Sequence, residues 1–325
     1  MCPAHGRQSH ADYWLALPLI APDWAPSAAL QQVHLDWLDT AGIELAVLRL
    51  DLTDRLISGN KWFKLSGYLQ QADAAGCSGV MSLGGAHSNH LHALASAGAR
   101  FNFPTVGLLR GTECQTPTVA DLKALGMQLH WLGYGGYRQR HEADFWVPWQ
   151  QQYAHFQPVP EGGGGLLGAR GCAPIIDLIR EQLAAIGWAD YDALWLGAGT
   201  GTTLAGLVMA ETGAHPVYGA MAVPASHGVQ AQVTQLLGQA GLADSGYQLL
   251  DACRGGFAKV DSVLVSFMQT CEQQMNIPLE PLYTAKTLFA LQQHVRAGLV
   301  AQGSRLIFIH TGGLQGRAAA LAAFQ

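Results

Sequence analysis

Charge is scarce in this chain of 325 residues. Asp, Glu, Lys and Arg make up only 13% of it, where an ordinary globular protein has about 25%. Eighteen Lys and Arg stand against 23 Asp and Glu, for a net charge of −5. No basic field is present to hold nucleic acid or an anionic membrane surface. No apolar run of ~18 residues passes without a charge or a glycine break, so no membrane span is expected. The opening segment, MCPAHGRQSHADYWLALPLIAPDWAP, lacks a basic region followed by a proper apolar stretch, and no signal peptide is expected. The six cysteines, Cys2, Cys77, Cys114, Cys172, Cys253 and Cys271, never stand in C-x-x-C spacing, which argues against a zinc site or a redox motif. Most are expected to be small buried hydrophobes in a reducing cytoplasm. His87, His90 and His92 crowd together; the spacing of His87 and His90, three apart, could suit a metal, but no third ligand is evident and H-E-x-x-H is absent, so no metal is expected.

What the chain has in quantity is apolar surface, 49% of residues, and glycine, 39 residues. The first can fill a sizeable core and a subunit interface; the second implies tight turns and close backbone approaches. The length suits one large or two medium domains. LAVLRLDL, GVMSL, TVGLL, MQLHWL, YDALWLG, PVYGAMAV and RLIFIH read as strands. Helical patterns alternate with them, from KWFKLSGYLQQADAAG to TAKTLFALQQHVRAG. That alternation gives an α/β class of parallel or mostly parallel sheets covered by helices. PVPEGGGGLLGARG (158–171) reads as a linker or crossover with a long helix after it. The division expected is a large domain of residues 1–64 and 160–325 and a small one of residues 65–159.

Four segments carry possible chemistry. In SGNKWFK, Lys61 and Lys64 are three apart and share a helix face. They read either as surface lysines or as a desolvated amine that forms a Schiff base beside a charged anion-binding partner. In SLGGAHSNHLHA, Ser88 and Asn89 open a helix, either as an ordinary N-cap or as a carboxylate or phosphate site. In WLGAGTGTTLAG, a strand enters a glycine-threonine loop, Gly199, Thr200, Gly201, Thr202 and Thr203, that opens a helix and can cradle phosphate. It is no P-loop, because no Gly-Lys-Ser/Thr follows, and it misses the G-x-G-x-x-G spacing of a nicotinamide dehydrogenase. In LEPLYTAK, Tyr283 and Thr284 begin a helix, and in IFIHTGGLQG, Thr311 ends the last strand.

Taken together and in this order, SGNKWFKL, GGAHSNH, GAGTGTT, PLYTAK and HTGG resemble the fold-type-II pyridoxal-phosphate enzymes. The likeness is strongest to the D-cysteine desulfhydrase and 1-aminocyclopropane-1-carboxylate deaminase family. That resemblance implies a two-domain fold, the cofactor pyridoxal 5'-phosphate, a small amino-acid substrate and a homodimer. It matches Lys61 to the lysine that binds the cofactor aldehyde, and Lys64 and Gly199 to Thr203 to the phosphate binders. Asn89 falls beside the ring hydroxyl, Ser88 at the substrate carboxylate and Tyr283 near the substrate. The deaminases carry a carboxylate and a leucine where Thr284 and Thr311 stand, and SNQ where this chain has SNH; threonines are typical of the desulfhydrases.

A carboxylate on the pyridine nitrogen makes the ring a strong electron sink; a hydroxyl leaves it weaker. A weaker sink suffices to expel a thiolate, so the expected activity is D-cysteine desulfhydrase. Ring-opening deamination, another small amino-acid lyase or racemase, and a cofactor-binding pseudoenzyme are the rivals. The sequence departs from the family pattern at Leu50, where an acidic residue is usual, at Phe63 in place of arginine, and at Phe257 in place of a second tyrosine.

Overall fold

The computed structural model describes residues 18–324. Cys2 and most of the segment read for a signal peptide lie outside the described residues. Two compact units are present among the described residues: one of residues 25–64 and 164–324, the other of residues 65–163 with residues 18–24. The sequence reading kept residues 1–64 together in the larger unit; the structure places that boundary at Ala25. Leu19 N–H donates to the Cys77 carbonyl and Ala21 N–H to Asp73, both in the smaller unit.

Ten strands are formed among the described residues. They are β1 (Leu30–Val33), β2 (Glu44–Leu48), β3 (Gly79–Gly84), β4 (Thr105–Leu109), β5 (Gln128–Trp131), β6 (Phe156–Val159), β7 (Ala193–Ala198), β8 (Val217–Met221), β9 (Tyr247–Asp251) and β10 (Arg305–Ile309). In the larger unit the order is β1-β2-β10-β7-β8-β9. Every pair is parallel except β1 with β2. Side chains alternate faces along a strand. Ala46, Leu48, Leu194, Leu196, Ile307 and Ile309 therefore join one core. Leu45, Val47, Trp195, Leu306 and Phe308 join the other. A sheet buried on both faces explains why these strands read as continuous apolar runs.

The smaller unit has the order β5-β4-β3-β6, all parallel. β3 is buried along its whole length, and Met81, Leu83, Val106, Leu108, Tyr137 and Phe156 fill the core beside it. The expected α/β class holds. No helix among the described residues is long and apolar enough to cross a membrane.

The glycine tract is not a plain linker. It holds the end of β6, a 3-10 turn at Glu161–Gly163 and a helix, Gly165–Arg170. The long helix expected after it is two short ones, because Pro174 begins a second helix, Pro174–Arg180, and has no N–H to continue the first. Leu50, a departure from the family pattern, is fully buried in the core. The charge there belongs to Asp51, which takes both ends of the Arg49 guanidinium at 2.9 and 2.7 Å. Phe63 is likewise a core residue. Of the cysteines, Cys172, Cys253 and Cys271 are buried, whereas Cys77 is half-buried and Cys114 exposed.

Candidate active site

In the larger unit, Lys61 opens the helix Lys61–Ala74. The turn before it is fixed by a close backbone approach. Gly59 has φ 78°, and a Cβ there would meet the Thr311 carbonyl at 2.1 Å. The SGNK turn and the HTGG turn therefore lie backbone to backbone, and Asn60 N–H donates to the same Thr311 carbonyl at 3.4 Å. Two segments that the sequence separates by some 250 residues are brought together here.

Lys61 Nζ donates to Asn60 Oδ1 at 2.6 Å, and the Asn60 amide donates to the Thr203 hydroxyl at 2.9 Å. Asn60, only 6% exposed, thus links the proposed cofactor lysine to the glycine-threonine loop. It was missed in the sequence, although it sits in the quoted motif beside Lys61. Burial lowers Lys61 to about 8, opposed by Cys172 and Glu280. Lys64 is 4% exposed. Burial first and Lys61 second lower it to about 7. Among the described residues no carboxylate forms an ion pair with Lys64. A buried lysine in that state is completed by an anion.

The loop supplies what an anion needs. β7 ends at Ala198, Gly201 has φ 75°, and the helix Thr202–Glu211 begins with no side chain capping its first N–H groups. Thr202 and Thr203 are buried, and Thr200 and Thr202 hydroxyls lie 3.0 Å apart. Free N–H groups at a helix start attract phosphate. Gly206 lets this helix sit against the Gly165–Arg170 helix, since a Cβ there would meet the Ala169 carbonyl at 2.1 Å.

Tyr283 precedes the helix Thr284–Arg296. Its ring lies over the loop, where a Cβ on Gly199 would stand 3.1 Å from it. Glu280 fixes the tyrosine: its carboxylate accepts from Leu282 N–H and Tyr283 N–H, both at 2.7 Å. Burial raises Glu280 to about 7, against those N–H groups, which lower it. The Thr284 hydroxyl donates to the Glu280 carbonyl at 2.9 Å and accepts from Glu280 N–H at 2.7 Å. It is spent on closing this turn. Among the described residues no hydrogen bond engages the Thr311 hydroxyl. Cys172, also missed in the sequence, is buried beside the lysines, and burial raises its thiol to about 11. Nothing local marks it, because its neighbours come from distant segments.

In the smaller unit, Ser88 caps the helix Asn89–Phe101 and accepts from Leu91 N–H at 3.2 Å. Gly84 allows this, since a Cβ there would meet Ser88 Oγ at 2.4 Å. The Thr116 hydroxyl pins the loop through the Ala86 carbonyl at 2.6 Å. Ser88 and Asn89 are half-buried; His87 is exposed; His90 is buried and meets Ser82 Oγ at 2.8 Å.

Residues 33–312 match the pyridoxal-phosphate dependent enzyme family. The chain belongs to that family. Its relatives carry both names that the motifs resembled. A mitochondrial protein of Arabidopsis thaliana, named bifunctional D-cysteine desulfhydrase/1-aminocyclopropane-1-carboxylate deaminase, is 25% identical over 349 residues, covering 95% of this chain and 85% of the relative. A Thermotoga maritima protein provisionally named a 1-aminocyclopropane-1-carboxylate deaminase is 28% identical over 289 residues, covering 85% and 90%. A crystal structure described as an ACC deaminase homologue superimposes with a TM-score of 0.78 at 21% identity, covering 95% of this chain and 98% of that one. At that identity the superposition speaks for the fold. Members of the family depend on pyridoxal phosphate, and the residues present fit that group. A desolvated amine, a second buried lysine without an anion and an uncapped helix start match an aldehyde joined to a phosphate.

Proposed function

We propose that this chain is a lyase that eliminates a leaving group from a small amino acid. D-cysteine, cleaved to pyruvate, ammonia and sulfide, is the preferred substrate. The observation that carries the reading is the desolvated amine of Lys61 and the buried Lys64 on one helix, whose preceding turn lies against Thr311; by the resemblance, a deaminase has a leucine in place of that threonine.

Bound pyridoxal phosphate supplies the aldehyde that captures the substrate amine and a ring that spreads the charge left at Cα. Lys64 and the N–H groups of Gly199 to Thr203 would hold the phosphate, whose negative charge would keep Lys64 protonated. Lys61, lowered to about 8, has a neutral fraction at working pH, and its Nζ takes the Cα proton. Asn60 holds that amine by its Oδ1. Thr284 has its hydroxyl engaged with Glu280, so Thr311 is the threonine that would offer a hydroxyl to the ring nitrogen, and a hydroxyl there would leave the sink weak. As the Cβ–S bond breaks, Tyr283 gives its proton to the departing thiolate. Water then exchanges for the amine, which completes pyruvate and ammonia. By the resemblance, Asn89 serves the ring hydroxyl and Ser88 the carboxylate; Ser88 accepts from Leu91 N–H and keeps its own proton to donate.

A second reading, opening of 1-aminocyclopropane-1-carboxylate, is favoured by the relatives' names. Thr284 and Thr311 count against it, because no thiolate leaves and a stronger sink is needed.

The test is pyruvate release from cofactor-saturated protein given D-cysteine, L-cysteine and the cyclopropane in parallel. Turnover of D-cysteine is expected; release from the cyclopropane alone overturns the reading. Lys61→Ala is expected to lose at least ~10²-fold in turnover, the general-base share alone, and to lose borohydride trapping of the cofactor on the peptide that contains residue 61.

A further inference from the structure

Lys286 takes no part in the chemistry above, yet its placement is costly. The side chain is 1% exposed, and lysine is seldom buried so completely. Its ammonium has three protons and meets three carbonyls: Cys253 at 3.0 Å, Gly256 at 3.2 Å and Phe257 at 3.1 Å. All three belong to one loop. In that loop Arg254 holds a left-handed backbone, φ 52°, that a non-glycine residue seldom takes, ahead of Gly255 and Gly256. Backbone of this kind persists only where its surroundings over-determine it. Asp261 secures one side, receiving the Arg254 guanidinium at 2.7 and 2.8 Å. Lys286 secures the other.

The loop delivers one side chain of consequence. Phe257 is 42% exposed and meets Tyr283 edge-on, with ring centroids 5.8 Å apart and planes at 64°. Tyr283 and Lys286 stand one helical turn apart. The same turn thus sets the tyrosine and the loop that faces it.

We infer that Lys286 is a positioning residue that holds Phe257 against Tyr283, and that this aromatic wall selects the group leaving the substrate's β-carbon. The inference rests on the lyase reading. Phe257 has no hydroxyl where the family pattern has a tyrosine, so it offers a leaving group only an aromatic edge. A polarisable sulfur or halogen is favoured there; a hydroxyl finds no partner on Phe257 and is disfavoured.

The experiment uses the cofactor-loaded enzyme and measures kcat/KM for D-cysteine and β-chloro-D-alanine relative to D-serine. Phe257→Ala and Lys286→Met are each expected to lower that ratio by up to about tenfold, the range of sulfur–aromatic contacts, with the cofactor's visible band retained. The double variant should lose no more than Phe257→Ala alone, because residues acting through one another are not additive. An unchanged ratio in Phe257→Ala, or losses that add in the double variant, overturns the inference. Phe257 is exposed, so its replacement does not threaten folding; if Lys286→Met fails to fold, Lys286→Gln takes its place. If the parent turns over none of these amino acids, the lyase reading has failed, and amide exchange judges the clamp by itself. Faster exchange at residues 253–259 in Lys286→Gln than in the parent supports the clamp; equal exchange overturns it.

Discussion

Lys64 illustrates a residue that the fold tolerates for the sake of a ligand. An ammonium kept from water with another amine beside it destabilises the protein that has no anion bound. Its pKa falls from 10.5 to about 7, and each unit is about 1.4 kcal/mol, so the penalty is on the order of a few kcal/mol. Lys64→Met should therefore raise the melting temperature of the cofactor-free protein at pH 7 while weakening its hold on pyridoxal phosphate. A variant that loses both would sink this account. The pH dependence has a definite sign. Between about 7 and 10.5 the unfolded chain binds more protons at Lys61 and Lys64 than the folded one. Stability of the cofactor-free protein from these groups should rise with pH across that window. Bound cofactor phosphate restores the charge on Lys64 and should flatten its part of the slope, which thermal melts at pH 7, 8 and 9.5 would show. Both lysines were legible in the sequence because their turn carries its own signature. Asn60 was not, because an asparagine before a helix reads as an ordinary turn residue, and its Thr203 partner is 143 positions away. Glu280 and Lys286 were hidden for a related reason: a charge inside an apolar stretch shows that it is buried or paired, but not what satisfies it.

At the scale of elements, the turns decide whether the site forms. Gly59 and Gly76 both have left-handed backbone, at φ 78° and 65°. Gly76 faces open space, whereas Gly59 lies against the Thr311 carbonyl. Gly76→Ala should cost about 1 kcal/mol, the backbone alone. Gly59→Ala adds a collision to backbone strain of ~1–3 kcal/mol and should also loosen cofactor binding, since it moves both turns. Chemical denaturation of the two variants, with and without cofactor, separates the effects. The buried central strands were readable, being continuous apolar runs between turns. β1, β6 and β9 were not: LQQV, FQPV and YQLLD carry polar residues because they are edge strands in their sheets. The glycine tract misled for another reason. Four successive glycines read as flexible chain, but positive φ at Gly162, Gly163 and Gly165 builds a specific entry to a helix.

For the whole molecule, the low charge content bears on assembly. A chain with 13% charged residues has little to cover its surface, and we expect the cofactor-loaded protein to sediment at twice the monomer mass. A monomer at micromolar concentration would refute that expectation. The α/β class was legible because periodicity and length both point to it; the split of the chain between units was visible only in part, since nothing in the local pattern at Trp24 marks which unit residues 18–24 pack with. The pairing of β2 with β10 carries a consequence of a different kind. Leu48 lies opposite Ile309, so the larger sheet cannot close until synthesis has passed β10, some 260 residues after β2. The residues of β3 to β6 emerge long before and pair only among themselves. During synthesis the smaller unit can settle while β2 waits with only β1 beside it and its other edge unpaired. That delay is the kind in which long-range sheets fold slowly and recruit chaperones. The hazard to production of this protein therefore lies at β10, and a stall or truncation before it would leave β2 without its parallel neighbour.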